Sequence, residues 1–310
     1  MTESAIAWQD QVMSQTNRSE LLIAPQENQT NGIYHEHSAK DLGWQFLNFG
    51  ARKLPQGKSW EFATLSHEYV LVFLGGSADI VITGPKHQEH WQQVGKRANV
   101  FLGMPYALYV SRQTKVQVTA TSTETDIAYG FCETEKDYPP QLVTPKNIAI
   151  ELRGGENASR QINSIIPPGF ACEKLVCVEV YTPSGNWSSY PPHKHDVHRV
   201  DARGRILEAD LEEIYFYKID KPHGYAFQRV YTDARDLDEV VMAHHNDMVL
   251  IPRGYHPVTS AFGYTTYYLN FLAGSAQSLA CVDDPEHAWI KQTWRTIDPR
   301  LPLVSLAMED

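Results

Sequence analysis

Cysteine is scarce in this chain, and so are long apolar runs, long helical periodicity and positive charge. The four cysteines, Cys132, Cys172, Cys177 and Cys281, form no C-x-x-C pair. Cys172 and Cys177 are an odd number of residues apart, so on one strand they face opposite ways. They read as free thiols in a reducing compartment, which sets aside a disulfide scaffold. The longest apolar run, YVLVFL at 69–74, is far too short to cross a bilayer. Residues 1–20 lack the basic start and apolar centre of a secretory signal, so a cytoplasmic location is expected. Lys and Arg number 27 against 37 Asp and Glu, a net charge of −10. That balance argues against general affinity for nucleic acid or anionic membrane. A small anionic substrate stays open, because a few local cations can hold one. A homo-oligomer is neither required nor excluded.

What the chain has in quantity is strand. KVQVTATS (115–122), KLVCVEVYTPSG (174–185), EEIYFYKID (212–220), YAFQRVYT (225–232), DMVLIPRG (247–254) and TTYYLNFLAG (265–274) are short β-type runs punctuated by Gly, Pro and Asp. EYVLVFLGGSADIVIT (68–83) reads as a hairpin turning at Gly-Gly. Short helices are expected only in SAIAWQDQVMSQ near the start and DPEHAWIKQTW near the end. A length of 310 residues suits about two domains. The polar, proline-rich stretch ETEKDYPPQLVTPKN (133–147) separates two β-rich halves. The expected division is an N-terminal extension at 1–22, a first domain at 23–145 and a second at 146–310. The expected class is all-β, with two jelly-roll barrels in tandem. NVFLGMPYALYV (99–110) and DMVLIPRGYHPV (247–258) share a pattern, an apolar run, Pro, then an aromatic, which hints at duplication. On that alignment Tyr106 stands in the first copy where His256 stands in the second.

The chemistry concentrates in the second half. YPPHKHD (190–196) sets His193 and His195 two apart, so on an extended strand they face the same way. In the strand E-I-Y-F-Y, Glu213, Tyr215 and Tyr217 share one face and Glu212 takes the other. PRGYHP (252–257) delivers His256 after a Pro-x-Gly turn. H-x-H, a Glu and P-x-G-x-H together resemble the metal-binding pattern of cupins, with three imidazoles and one carboxylate on the inner wall of a small barrel. His193, His195, Glu213 and His256 are the candidate ligands for one divalent ion, with Zn or Mn the best matches. The chain departs from the usual pattern, because seventeen residues lie between His195 and Glu213, and this insertion is expected to loop out. Asn246 and Ser260 also stand where Gly and Asn are commoner. His198 falls in the insertion, and His244 and His245 in a turn expected to be exposed. His67, His87 and His90 of the first half have no second motif, so that half is expected to carry no metal.

The segments YPPHKHD, LEEIYFYKI, GYAFQRVYTDARDLDE, VLIPRGYHPV, YYLNFLAG and DPEHAWI, in this order, resemble the 5-deoxy-glucuronate isomerase family, bicupin enzymes of inositol catabolism. RGGENASRQI (153–162) extends the likeness more loosely toward the first half. The resemblance implies an aldose–ketose isomerase that converts 5-deoxy-D-glucuronate to 5-dehydro-2-deoxy-D-gluconate, a small anionic sugar acid being the partner. It points to Arg229 as the anchor for the substrate carboxylate. Tyr268 and Asn270 share a face of the last strand, suited either to bind substrate hydroxyls or to pack in the wall. The catalytic base, and the choice between proton and hydride transfer, stay open. So do three other readings: the related 4-deoxy-L-threo-5-hexosulose-uronate ketol-isomerase, a cupin dioxygenase, and a sugar-binding cupin without turnover.

Overall fold

The computed structural model describes residues 19–26 and 31–308, so the expected helix SAIAWQDQVMSQ lies outside the described residues. The architecture is all β, with two antiparallel two-sheet barrels in tandem. DPEHAWIKQTW contributes a 3₁₀ helix at Ala288–Thr293. Among the described residues no helix is long and apolar enough to cross a membrane, and all four cysteines are free.

The large sheet of the first half runs Gln141–Val143, Ala107–Val110, His67–Gly75, Glu124–Glu133, Asn48–Pro55, Ile33–His37. Its small sheet runs Ser59–Ala63, Lys115–Ala120, Ala78–Thr83, Gln88–Val94. In the second half the large sheet runs Leu22–Ile23, Met248–Ile251, Ile206–Ile219, Thr266–Gly274, Val176–Thr182, Arg160–Ile166, Ala149–Arg153. Opposite it stand Trp187–Ser188, Val258–Ser260, Ala226–Tyr231 and Asp238–Ala243.

Each barrel has its own interior cluster, and a third core forms where the backs of the two large sheets meet. There Phe49, Val70, Val72 and Tyr109 pack with Phe216, Met248, Leu269 and Phe271. Central strands are therefore buried on both faces, which is why YVLVFL and TYYLNFL read as unbroken apolar runs rather than as alternation.

Gly-Gly at 75–76 is not a hairpin turn. His67–Gly75 belongs to the large sheet and Ala78–Thr83 to the small one, so the glycines carry the chain across the barrel. Gly76 has φ +77°, and a Cβ there would lie 2.2 Å from the Glu124 carbonyl oxygen. No side chain fits that corner.

The halves repeat each other with a register that differs from the sequence alignment. Ala107–Val110 pairs with His67–Gly75 as Met248–Ile251 pairs with Ile206–Ile219, through Val72↔Ala107 and Tyr69↔Val110 against Phe216↔Met248 and Glu213↔Ile251. Tyr106 precedes its strand whereas His256 follows its own, so the two are not counterparts. The residue equivalent to Glu213 is Tyr69. At the far edges, Leu22 pairs with Val249 and Leu142 with Leu108. Ile23, expected to open the first half, therefore pairs with Met248 in the sheet of the second.

Two carboxylates lock the sheets back to back. Glu68, fully buried, accepts the backbone N–H groups of Glu173, Lys174 and Leu175 at 2.8, 2.8 and 3.1 Å. Its counterpart Glu212 accepts those of Gln45, Phe46 and Leu47 at 2.6, 2.9 and 2.8 Å. Each half thus supplies the anion that satisfies an irregular stretch of the other. Buried pairs between Arg97 and Glu179 (3.0 Å) and between Lys218 and Asp126 (2.7 Å) cross the same seam.

Removing the Glu68 acceptor strands three amide groups at once. Glu68→Ala is expected to lower unfolding free energy by about 3 kcal/mol, the scale of lost charge-assisted hydrogen bonds. Glu212→Ala, at a more open site, should lose less. Chemical denaturation of both variants checks this, and equal stability with wild type would refute it.

Candidate functional site

Strand alternation builds the first part of the site. Tyr215 and Tyr217 point into the second barrel, while Ile214 and Phe216 point to the seam. Glu213 goes with the tyrosines into the cavity, and Glu212 with the seam.

His193 and His195 line the same cavity. His193 lies in the short strand His193–Lys194, paired with Val282–Asp283. His195 is fixed to the Glu213 strand, since its carbonyl accepts Leu211 N–H and its Nδ1–H donates to the Leu211 carbonyl, both at 3.0 Å. The seventeen-residue insertion does not loop out. It folds into a hairpin, Asp196–Val200 against the first part of Ile206–Ile219, through Asp196↔Asp210 and Val200↔Ile206. This hairpin lets a carboxylate far along the chain sit beside the H-x-H pair. Buried Glu208 closes it, accepting Asp196 N–H at 3.0 Å and Arg199 at 2.8 Å.

His256 arrives on the PRGYH turn. Gly254 has φ +90°, and a Cβ there would meet the Tyr231 carbonyl oxygen at 2.4 Å, so the turn requires glycine. Asp196 accepts Gly254 N–H at 2.7 Å and joins this turn to the H-x-H segment. His256 Nδ1–H donates to the Gly254 carbonyl at 2.8 Å.

Those backbone acceptors fix the tautomers. With Nδ1 protonated on both rings, His195 and His256 aim Nε2 at one point, where Glu213 Oε2 also lies, 2.8 and 3.2 Å away, and His195 Nε2 hydrogen-bonds that carboxylate. The His256 Nε2 is buried and has no hydrogen-bond partner among the described residues. An unpartnered imidazole nitrogen beside a second imidazole and a carboxylate, all out of water, is an arrangement that a cation between them would satisfy. Ligand atoms of His195, Glu213 and His256 all lie within 4.8 Å of one another. His193 flanks this trio, its ring centroid 4.9 Å from that of His256. The donor set, imidazoles with one carboxylate, fits a borderline divalent metal.

The charges respond as expected for a buried cluster. Burial, reinforced by the neighbouring His256 and His195 rings, holds His193 well below its ordinary value. Burial pushes the Glu213 carboxyl up, but the His195 and His256 contacts outweigh it and bring it down to about 2. Burial also pulls His195 down, yet the Glu213 bond and charge carry it above its ordinary value. Glu213 is thus held anionic, ready to ligate.

Tyr268 and Asn270 both line this cavity, with Ser189, Tyr215 and Arg160. Arg229 does not. It lies on the outer face of the small sheet, bound to Asp238 through two nitrogens at 2.7 and 2.8 Å and stacked over Tyr231. Its neighbours Gln228 and Val230 are the inward residues of that strand. That alternation was available in AFQRVY and places Arg229 outside. His198 bonds Ser275 at the hairpin rim, and His244 and His245 are exposed.

A family model described as the KduI/IolB family matches residues 21–290. The 5-deoxy-glucuronate isomerase of Geobacillus thermodenitrificans (strain NG80-2) is 36% identical over 276 residues, covering 89% of this chain and 97% of that protein. The 5-deoxy-glucuronate isomerase of Bacillus subtilis (strain 168) is 35% identical over 277 residues, covering 88% and 98%. Among solved structures, an IolB-like protein from Salmonella typhimurium superposes with a TM-score of 0.81 at 32% identity, covering 87% of this chain and 98% of that one. Bacillus subtilis oxalate decarboxylase superposes with a TM-score of 0.58 at 12% identity, covering 86% and 80%, a likeness of fold alone.

Substitutions separate the ligand from its neighbours. Glu213→Gln is expected to abolish stoichiometric metal in the purified protein, whereas Glu212→Gln keeps it. Asp196→Ala, which frees the Gly254 turn, should weaken metal affinity by roughly 10- to 100-fold, as for other groups that orient ligands. Metal quantification and competition with a chelator read all three, and full metal in Glu213→Gln would break the assignment.

Proposed function

Since the chain belongs to the KduI/IolB family, we propose that it is an aldose–ketose isomerase converting 5-deoxy-D-glucuronate to 5-dehydro-2-deoxy-D-gluconate in inositol breakdown. The observation that carries this reading is the match to isomerases of that name along nearly their whole length, 97% for the Geobacillus protein. The cavity supplies the chemistry. His193, His195, Glu213 and His256 are the residues that would hold one divalent ion, Zn or Mn. When bound there, the ion polarises the substrate carbonyl and acidifies the adjacent C–H.

The remaining wall binds and orients the sugar. Ser189 Oγ lies 2.8 Å from the Tyr215 hydroxyl and 3.4 Å from that of Tyr268. Burial pushes both phenols above their ordinary value, so they stay protonated and offer O–H groups to substrate oxygens. Asn270 donates Nδ2–H to the Ile214 carbonyl at 3.2 Å, which fixes its amide at the cavity wall. These groups hold the carbonyl carbon and its neighbour in register, so that hydrogen passes between adjacent carbons as a proton or a hydride.

The test is turnover of 5-deoxy-D-glucuronate, followed by NMR appearance of the ketose. Chelation is expected to remove turnover, and Zn or Mn to restore it. Undiminished turnover in metal-free protein would refute the metal-assisted reading, and no turnover in fully metallated protein would refute the substrate.

A further inference from the structure

One cation faces this cavity without a counter-charge. Arg160 is 4% exposed and opens the strand Arg160–Ile166 on the wall of the second barrel. Its Nη1 donates to the Tyr190 carbonyl at 3.0 Å and to the Ala158 carbonyl at 3.4 Å. Among the described residues no acceptor takes the other edge of the guanidinium, and no carboxylate pairs with it. The other cavity arginine, Arg153, is neutralised by Glu151 through two bonds at 2.7 and 2.8 Å. Lys194 is turned away, bound to Asp233 and lying over the Tyr255 ring. Arg160 therefore differs from every other cation near the site.

A guanidinium taken out of water without an anion is destabilised, and burial pulls Arg160 below its ordinary value. Two carbonyls hold one edge of the fork in place, so the other edge is pre-set. A planar fork aimed into a pocket suits a carboxylate, which it grips through two parallel bonds. Tyr268 shares this wall, so an acid held by Arg160 would direct its hydroxyls toward Ser189, Tyr215 and Tyr268.

We propose that Arg160 anchors the carboxylate of the sugar acid, on the cavity wall that it shares with Tyr268. The assignment rests on the isomerase reading for its substrate class. Arg160 sets which sugars enter, uronates over neutral sugars, in the role that the resemblance implied for Arg229.

Binding of D-glucuronate and its uncharged analogue D-glucuronamide to the metal-loaded protein tests it, by calorimetry. Wild type is expected to prefer the acid at least tenfold. Arg160→Gln should bring that ratio close to one with full metal content, and should raise KM for the acid more than it lowers kcat. Arg160→Lys keeps the charge without the fork and should retain a reduced preference. An unchanged preference in fully metallated Arg160→Gln would place the carboxylate on the metal and overturn the assignment. If that variant fails to fold, a Lys variant with wild-type preference and KM overturns it instead. Acid preference that depends on Arg160 in a protein without isomerase turnover would uphold the anchor and overturn only the reaction.

Discussion

Glu212 and Glu213 are adjacent carboxylates on one strand, and the two-residue period sends them to opposite buried faces. One closes a cavity of imidazoles, and the other holds three amide groups of the neighbouring barrel. Each acid has a defined set of partners on its own face, and a one-residue slip would move both away from theirs. The register of the central strand therefore fixes the ligand geometry and the docking of the halves together. Glu68 makes the same demand from the other side of the seam.

The duplicated frame has diverged at the site. Where the second barrel has Glu213, the first has Tyr69, whose ring stacks on Phe131 at 4.4 Å and lies 5.0 Å from Phe62. Trp60 adds a further ring, with the Arg52 guanidinium 3.9 Å above it. Aromatic packing fills the first barrel where polar ligands line the second. Around Tyr69 the first half contributes stability through aromatic packing.

Much of this was legible in the sequence, because period-two alternation decides which side chains share a wall. H-x-H, the phase of Glu213 and the PRGYH turn brought the ligand candidates to one cavity. Alternation also applied to AFQRVY, where inward Gln228 and Val230 leave Arg229 outside, and to RQINSII, where Arg160 and Ile162 face the pocket together. The resemblance pointed to Arg229, whereas the strand phase places that side chain outside the cavity. Other features depend on distant contacts. A Gly-Gly turn looks alike whether it joins partners in one sheet or crosses between two. The insertion at 196–212 does carry a hairpin signal, Asp201 and Gly204 in VDARGRI with Gly204 at φ +77°, but as an interruption of the H-x-H…Glu pattern it reads as a loop.

The edge exchange has a consequence for how the chain is made. Leu22–Ile23 is made more than two hundred residues before its partner Met248–Ile251. Until then the early strand has nothing to pair with, and the second sheet lacks its edge. Such distant pairing makes for slow folding and a long-lived open strand edge. Division of the chain at 145/146 would part Leu22–Ile23 from Met248–Ile251 and leave that edge of the second sheet unpaired.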